Sequence, residues 1–143
     1  MHQIHPPKYL CIYYGYPSLV NDSQRDLTLA SNNFKKFDLI VFGNGLWKPT
    51  HDDHQNTQKI IHQLSALDKQ VFGYVDLGVS TENLAVEEMK HAVHGWKSMG
   101  AKGIFWDDAG FDYRVTRERQ SQMLDFCHEL NLACIMNAWN PDD

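Results

Sequence analysis

Two acids stand side by side at the end of an apolar run in residues 103–110, GIFWDDAG. Burying an unpaired carboxylate is expensive, so Asp107 and Asp108 call for a use. A carboxyl in such a place can serve as general acid, general base or nucleophile. Strand geometry sends neighbours to opposite sides, so only one of the two faces a shared cleft and both cannot be caps. Other apolar runs end in related residue types: Tyr14 and Tyr16, Asn44, Asp76, Trp106 before the acid pair, and Asn137 with Trp139. Aromatic faces suit sugar C–H bonds, while Asp and Asn bind hydroxyls, so the set reads as a carbohydrate cleft. Asp76 and Asp108 also suit helix caps or turns, and Trp106 and Trp139 also suit a core.

Other chemistry-bearing stretches read as structural. HDDH (51–54) has neither the helical i, i+4 histidine spacing nor a zinc-finger pattern; Thr50 to Asp53 reads as a helix entry with acids near its positive end. His91 and His94 share a helix face without a third ligand and read as solvated. TRERQ (116–120) reads as capping and surface charge. No G-x-S-x-G, P-loop or G-x-G-x-x-G occurs, which argues against esterase, kinase-like and dinucleotide readings. The site residues call for no metal and no cofactor.

The elements that position these residues alternate. Five apolar runs, at 9–17, 37–46, 70–79, 103–110 and 132–140, read as strands, several of them continuous enough for parallel strands covered on both faces. Helical stripes fall at 53–67 (Ile60, Ile61, Leu64, Leu67), 84–99 (Met89, Ala92, Val93, Trp96, Met99) and 116–130 (Met123, Leu124, Phe126, Cys127, Leu130). Gly100 is a stop signal, Thr116 an N-cap, and 22–34 a weaker helix. The alternation predicts an α/β fold: a section of a (β/α) barrel of about five parallel strands, or an open five-stranded doubly wound sheet. Both architectures gather ligands at the C-terminal strand ends.

Bulk properties narrow the class. The 143 residues are 43% hydrophobic and 22% charged, which fits one soluble globular domain, and the formal charge is −5. An acidic chain without a basic stripe predicts no nucleic-acid partner and no anionic membrane surface. No leader pattern opens the chain, and no apolar run nears a membrane span. Three cysteines in apolar stretches, Cys11, Cys127 and Cys134, fit packing in a reducing compartment. The expectation is a cytoplasmic protein, or a secreted one if a leader has been removed.

YYGYP on the first strand, VFGYVDLGV on the third, GIFWDDAGFDYRVTRERQ on the fourth and NAWNPDD after the fifth together resemble the TIM-barrel glycosidases of family 114. These are the endo-α-1,4-polygalactosaminidases and their spherulin-like relatives. The resemblance implies a single truncated TIM-barrel-like domain over 1–143, corresponding to the first five βα units. It implies a retaining glycosidase acting on an amino-sugar polymer, with Asp107 matching the catalytic acid that ends strand four. Tyr14, Tyr16, Asn44, Asp76, Trp106, Asp108, Asn137 and Trp139 then line the substrate cleft, with Asp108 turned outward from the barrel axis. The family's second carboxylate lies on a later strand, so the chain is expected to be incomplete for catalysis alone. The alternatives are a non-catalytic carbohydrate-binding module or an oligomerisation module. Unpaired edges and an exposed half-interior predict self-association or a completing chain rather than a monomer.

Overall fold

The computed structural model describes residues 8–143. The first seven residues, part of the stretch read for a leader, lie outside the described residues. Five strands form one sheet: β1 (Leu10–Tyr13), β2 (Leu39–Phe42), β3 (Gln70–Asp76), β4 (Gly103–Asp107) and β5 (Ala133–Met136). Between them run α1 (Leu27–Phe34), α2 (His54–Ala66), α3 (Val86–Ser98) and α4 (Arg117–Glu129), with short 3-10 segments at Pro17–Asp22 and Phe111–Tyr113.

All neighbours pair in parallel and in chain order, β1-β2-β3-β4-β5. A doubly wound sheet needs a point where the strand order reverses. None exists here, so the open doubly wound alternative is excluded. The arrangement is a section of a (β/α) barrel, not closed.

Strand alternation separates two apolar layers. Ile40, Phe42, Val71, Val75, Ile104 and Trp106 face the helices and pack with Phe34, Ile60, Ile61, Leu64, Met89, Val93, Trp96, Met123 and Cys127. The opposite face carries Val41, Phe72 and Phe105, all buried and flanked by Leu39, Tyr74 and Ile135, with no helix among the described residues packed on this cluster. On β1 that face is open to solvent, with Leu10, Ile12 and Tyr14 all exposed.

The helices begin and end close to where the 3.6-residue period places them. Thr116 accepts from the N–H of Arg119 at 3.1 Å, and Gly100 takes φ +99° after α3. The weak 22–34 helix is shorter than expected. Asn21 and Asp22 take positive φ, and the helix starts only after Asp26, whose carboxylate caps Leu29 N–H at 3.1 Å. Asp53 is also not the cap its position suggests. It is buried and accepts instead from Ser18 N–H (3.0 Å), Ser18 Oγ (2.5 Å) and Asn56 Nδ2 (3.0 Å), tying the β1–α1 connection to the start of α2.

The strands are shorter than their apolar runs because chain leaving the sheet stays buried. Leu46 and Leu77 lie in the core beyond β2 and β3. Gly73 makes one close approach available. A Cβ there would sit 2.0 Å from the ring of Trp96, which is fully buried and donates from Nε1 to the carbonyl of Tyr74 at 3.0 Å. Gly73→Ala is therefore expected to lower stability by about 1–3 kcal/mol through overpacking, read as a shift in the denaturant midpoint at unchanged slope.

Candidate functional site

β4 ends at Asp107, and the chain turns at once: Asp108 takes φ +52°. This breaks the alternation that was expected to send the two acids apart. Both line one cavity of about 360 Å³, together with Tyr113, Asn137, Ala138 and Trp139. The outward orientation expected for Asp108 is thereby corrected. Asp and Asn tolerate the left-handed region better than most residues, so the turn is open to this residue type.

Three donors hold Asp107. Tyr74 Oη reaches Oδ2 at 2.9 Å, while Asn137 Nδ2 and the N–H of Asp108 reach Oδ1 at 2.8 and 2.9 Å. Tyr74 lies two residues before Asp76 on the same strand face, and its ring stacks on Phe105. Burial and the neighbouring Asp107 push its hydroxyl well above the usual tyrosine range, so it remains a donor. Tyr14 meets the Tyr74 ring edge-on at 5.6 Å.

Asp76, paired in register with Asp107, is buried. It accepts from Thr81 Oγ1 (2.5 Å), Glu82 N–H (2.9 Å) and Gly78 N–H (3.4 Å). Asp108 lies beside the same loop: a Cβ on Gly78 would come 3.0 Å from the Asp108 Cβ. The Asp108 carboxyl is raised to about 6, first by burial and then by the neighbouring Asp76 and Asp107, with Tyr113 opposing the rise.

Arg119 is a strut rather than the surface charge expected of it. It donates to the carbonyls of Leu77 and Leu84, each at 2.8 Å, clasping the β3–α3 loop. The next residue, Gln120, is buried and holds the Ala109 carbonyl at 2.7 Å.

Of the strand-end residues singled out in the sequence, Asp107, Asp108, Asn137 and the exposed Trp139 share the cavity. Asp76 lies beside it, and Tyr14 reaches it only through Tyr74. Three fall elsewhere. Tyr16 packs edge-on against His51. Asn44 donates to Glu82 on the wall of a separate cavity of about 510 Å³ whose lining includes Trp47, Leu84 and His91. Trp106 is fully buried on the helix side as part of the main core, so it is core and not a cleft residue. Alternation explains this, since Trp106 neighbours Asp107 and so takes the opposite face.

Tyr74 and Tyr113 lie outside the strand-end pattern; for Tyr74 the sequence signal is its place two positions before Asp76, on the same strand face. Asp142 and Asp143 do not line the cavity. Their carbonyls accept from Arg117, and the Asp143 side chain accepts from Phe111 N–H at 3.0 Å. Among the described residues no group of three or more His, Cys, Asp or Glu is arranged to hold a metal ion, and no helix is long and apolar enough to cross a membrane.

No family model matches the sequence, and no curated protein matches it. Solved structures do match the fold. A β-arabinopyranosidase is similar at TM-score 0.58 and 17% identity, over 96% of this chain and 24% of that one. The glycoside hydrolase domain of PelA from Pseudomonas aeruginosa is similar at TM-score 0.53 and 14% identity, over 93% of this chain and 60% of that one. The chain thus spans about a quarter of the first neighbour and three fifths of the second. The likeness to both is one of fold.

The raised Asp108 carboxyl fixes the sign of a pH effect. Between about pH 4, where an unfolded aspartate titrates, and about pH 6, the folded chain holds a proton that the unfolded chain releases. Stability from this group is therefore fullest below that window and declines as pH rises through it. Thermal melts from pH 4 to pH 7.5 are expected to show that decline, and Asp108→Asn is expected to flatten it.

Proposed function

We propose that the strand-end cavity binds an amino-sugar oligosaccharide, and that the chain is a single truncated TIM-barrel-like domain related to endo-α-1,4-polygalactosaminidases. The observation that carries this reading is Asp107, a strand-end carboxylate held by three donors in a cavity that also presents the exposed Trp139 ring. Such a carboxylate can stabilise a cationic sugar carbon, attack it, or receive hydroxyls. The ring offers an apolar platform beside it. Glycoside-hydrolase-like neighbours support the reading at the level of fold.

A retaining glycosidase places two carboxyls about 5–5.5 Å apart and an inverting one about 6.5–9.5 Å apart. In the family it resembles, the second carboxylate comes from a later strand. We therefore read the chain as catalytically incomplete by itself, with a second copy or a completing chain closing the barrel. The exposed Leu10, Ile12 and Tyr14 on the helix-free face, at the β1 edge of the open sheet, favour that reading. The same surface supports the alternative of a non-catalytic binding or oligomerisation module. Free thiols at Cys11, Cys127 and Cys134 suit a reducing compartment such as the cytoplasm.

Calorimetric titration with α-1,4-linked galactosamine oligosaccharides tests the site. Binding is expected, with about tenfold or greater loss in Asp107→Asn, the scale of a lost charged hydrogen bond. Unchanged affinity in that variant overturns the assignment. Little or no cleavage is expected; cleavage abolished by Asp107→Asn would instead show that a second acid is already present. Light scattering at micromolar concentration is expected to give a multiple of the 16.5 kDa chain mass, and a monomer mass counts against self-association.

A further inference from the structure

The Asp107 cavity has a larger neighbour at the same ends of the strands. This second cavity, of about 510 Å³, lies between the chain leaving β2 and the chain leaving β3, against the start of α3. Asn44, Trp47, Tyr74, Glu82, Leu84 and His91 are among its walls. Its size falls in the range of small-molecule sites, about 300–1,000 Å³. Tyr74 joins the two cavities: it lines the larger one, while its hydroxyl donates at 2.9 Å to Asp107 in the smaller. Both lie at C-terminal strand ends, where barrels of this kind gather their ligands.

The walls are held in place. Trp47 is half-buried and seated in a notch of α3: a Cβ on Gly95 would lie 2.4 Å from its ring, and His91 meets that ring edge-on at 5.1 Å. Another wall is the loop after β3, which buried Asp76 fixes by accepting the Glu82 N–H at 2.9 Å. The Glu82 carboxylate is held in turn by Asn44, whose Nδ2 lies 3.2 Å from Oε1 and 3.1 Å from Oε2.

Three carboxylates line the cavity, and two are engaged within α3. Glu88 caps the helix by accepting Ala85 N–H at 2.8 Å, and Glu87 pairs with Lys90 at 3.8 Å. Among the described residues Glu82 pairs with no cation and has only the neutral Asn44 amide. Lys48 also lines the cavity, and its ammonium stands over the Trp47 ring at 5.7 Å, without an ion pair among the described residues. Three acids against one lysine leave the cavity negative. An aromatic wall near a carboxylate free of any cation suits a protonated amine carried on a ring with apolar C–H faces.

We propose, on the saccharide reading of the Asp107 site, that this cavity holds a further sugar unit of the same oligosaccharide, with Glu82 accepting from its free amine and Trp47 carrying its ring. The bound chain then runs from Asp107 across Tyr74 to Glu82. An N-acetyl group is neutral and gains nothing from the Glu82 charge.

Nitrogen-15 NMR of the indole N–H groups tests this, because one tryptophan reports on each cavity: Trp139 on the Asp107 site and Trp47 on its neighbour. An α-1,4-linked galactosamine tetrasaccharide at pH 6, where its amines are charged, is expected to move both signals with one midpoint. Glu82→Gln keeps an acceptor oxygen for Asn44 and removes the charge. It is expected to weaken binding of the free-amine tetrasaccharide about threefold to fivefold, the scale of an exposed ion pair, and to leave the N-acetylated tetrasaccharide unchanged. Movement of Trp139 without Trp47 overturns the second sugar position and leaves the Asp107 site standing. Equal loss for both oligosaccharides, or no loss for either, overturns the role of Glu82. If neither signal moves, the saccharide reading fails and this position with it.

Discussion

Asp76 is a carboxylate buried at the end of the central strand, and the geometry of the site follows from the need to satisfy it. An unpaired charge there would cost several kcal/mol. The loop after β3 therefore folds back so that Thr81, Glu82 and Gly78 can donate to it. Gly78 is required in that fold: a Cβ would lie 2.1 Å from Thr81 Oγ1 and 3.0 Å from the Cβ of Asp108. The same loop offers the carbonyls of Leu77 and Leu84 to Arg119, so α4 is tied to β3 across β4. Asp107 and Asp108 thus stand on a platform fixed from beneath and from the side.

The second organising fact is that the sheet has a finished face and an unfinished one. Helices bury one side over the three central strands, and Trp96 fits the notch at Gly73. The other side has a small apolar layer from β2 to β5 and an open margin at β1. Tyr74 belongs to both descriptions. Its ring extends the apolar layer towards the strand ends, and its hydroxyl is the first donor to Asp107. The carboxylate is therefore oriented by the wall of the half-interior itself.

Much of this was legible in the sequence because period and punctuation agree locally. The helix stripes, Thr116 and Gly100 place α2 to α4 within a residue or two, and β-run spacing of about thirty residues marks parallel crossovers. Asp107 and Asn137 were visible as polar residues ending apolar runs. The failures share a cause: period-2 reasoning ends where the strand ends. Alternation carried one residue past β4 points Asp108 outward, but φ changes sign there. The same alternation, applied inside the strand, places Trp106 in the core rather than the cleft. Asp53 was read from its position before a helix, and its burial against Ser18 depends on a partner 35 residues earlier that no local pattern reveals.

Sequential strand order also determines when the site comes into being. Each strand pairs with one that lies about thirty residues earlier, as Leu10 with Leu39, Leu39 with Gln70, Phe72 with Gly103 and Gly103 with Ala133. A chain emerging from the ribosome can therefore add one unit at a time to a template already formed, with no early segment waiting for a distant mate. Asp76 can take its loop donors once β3 and its turn are out, and Asp107 gains Tyr74 when β4 docks. The amide of Asn137 arrives last, so the carboxylate reaches its full set of donors only when β5 is in place.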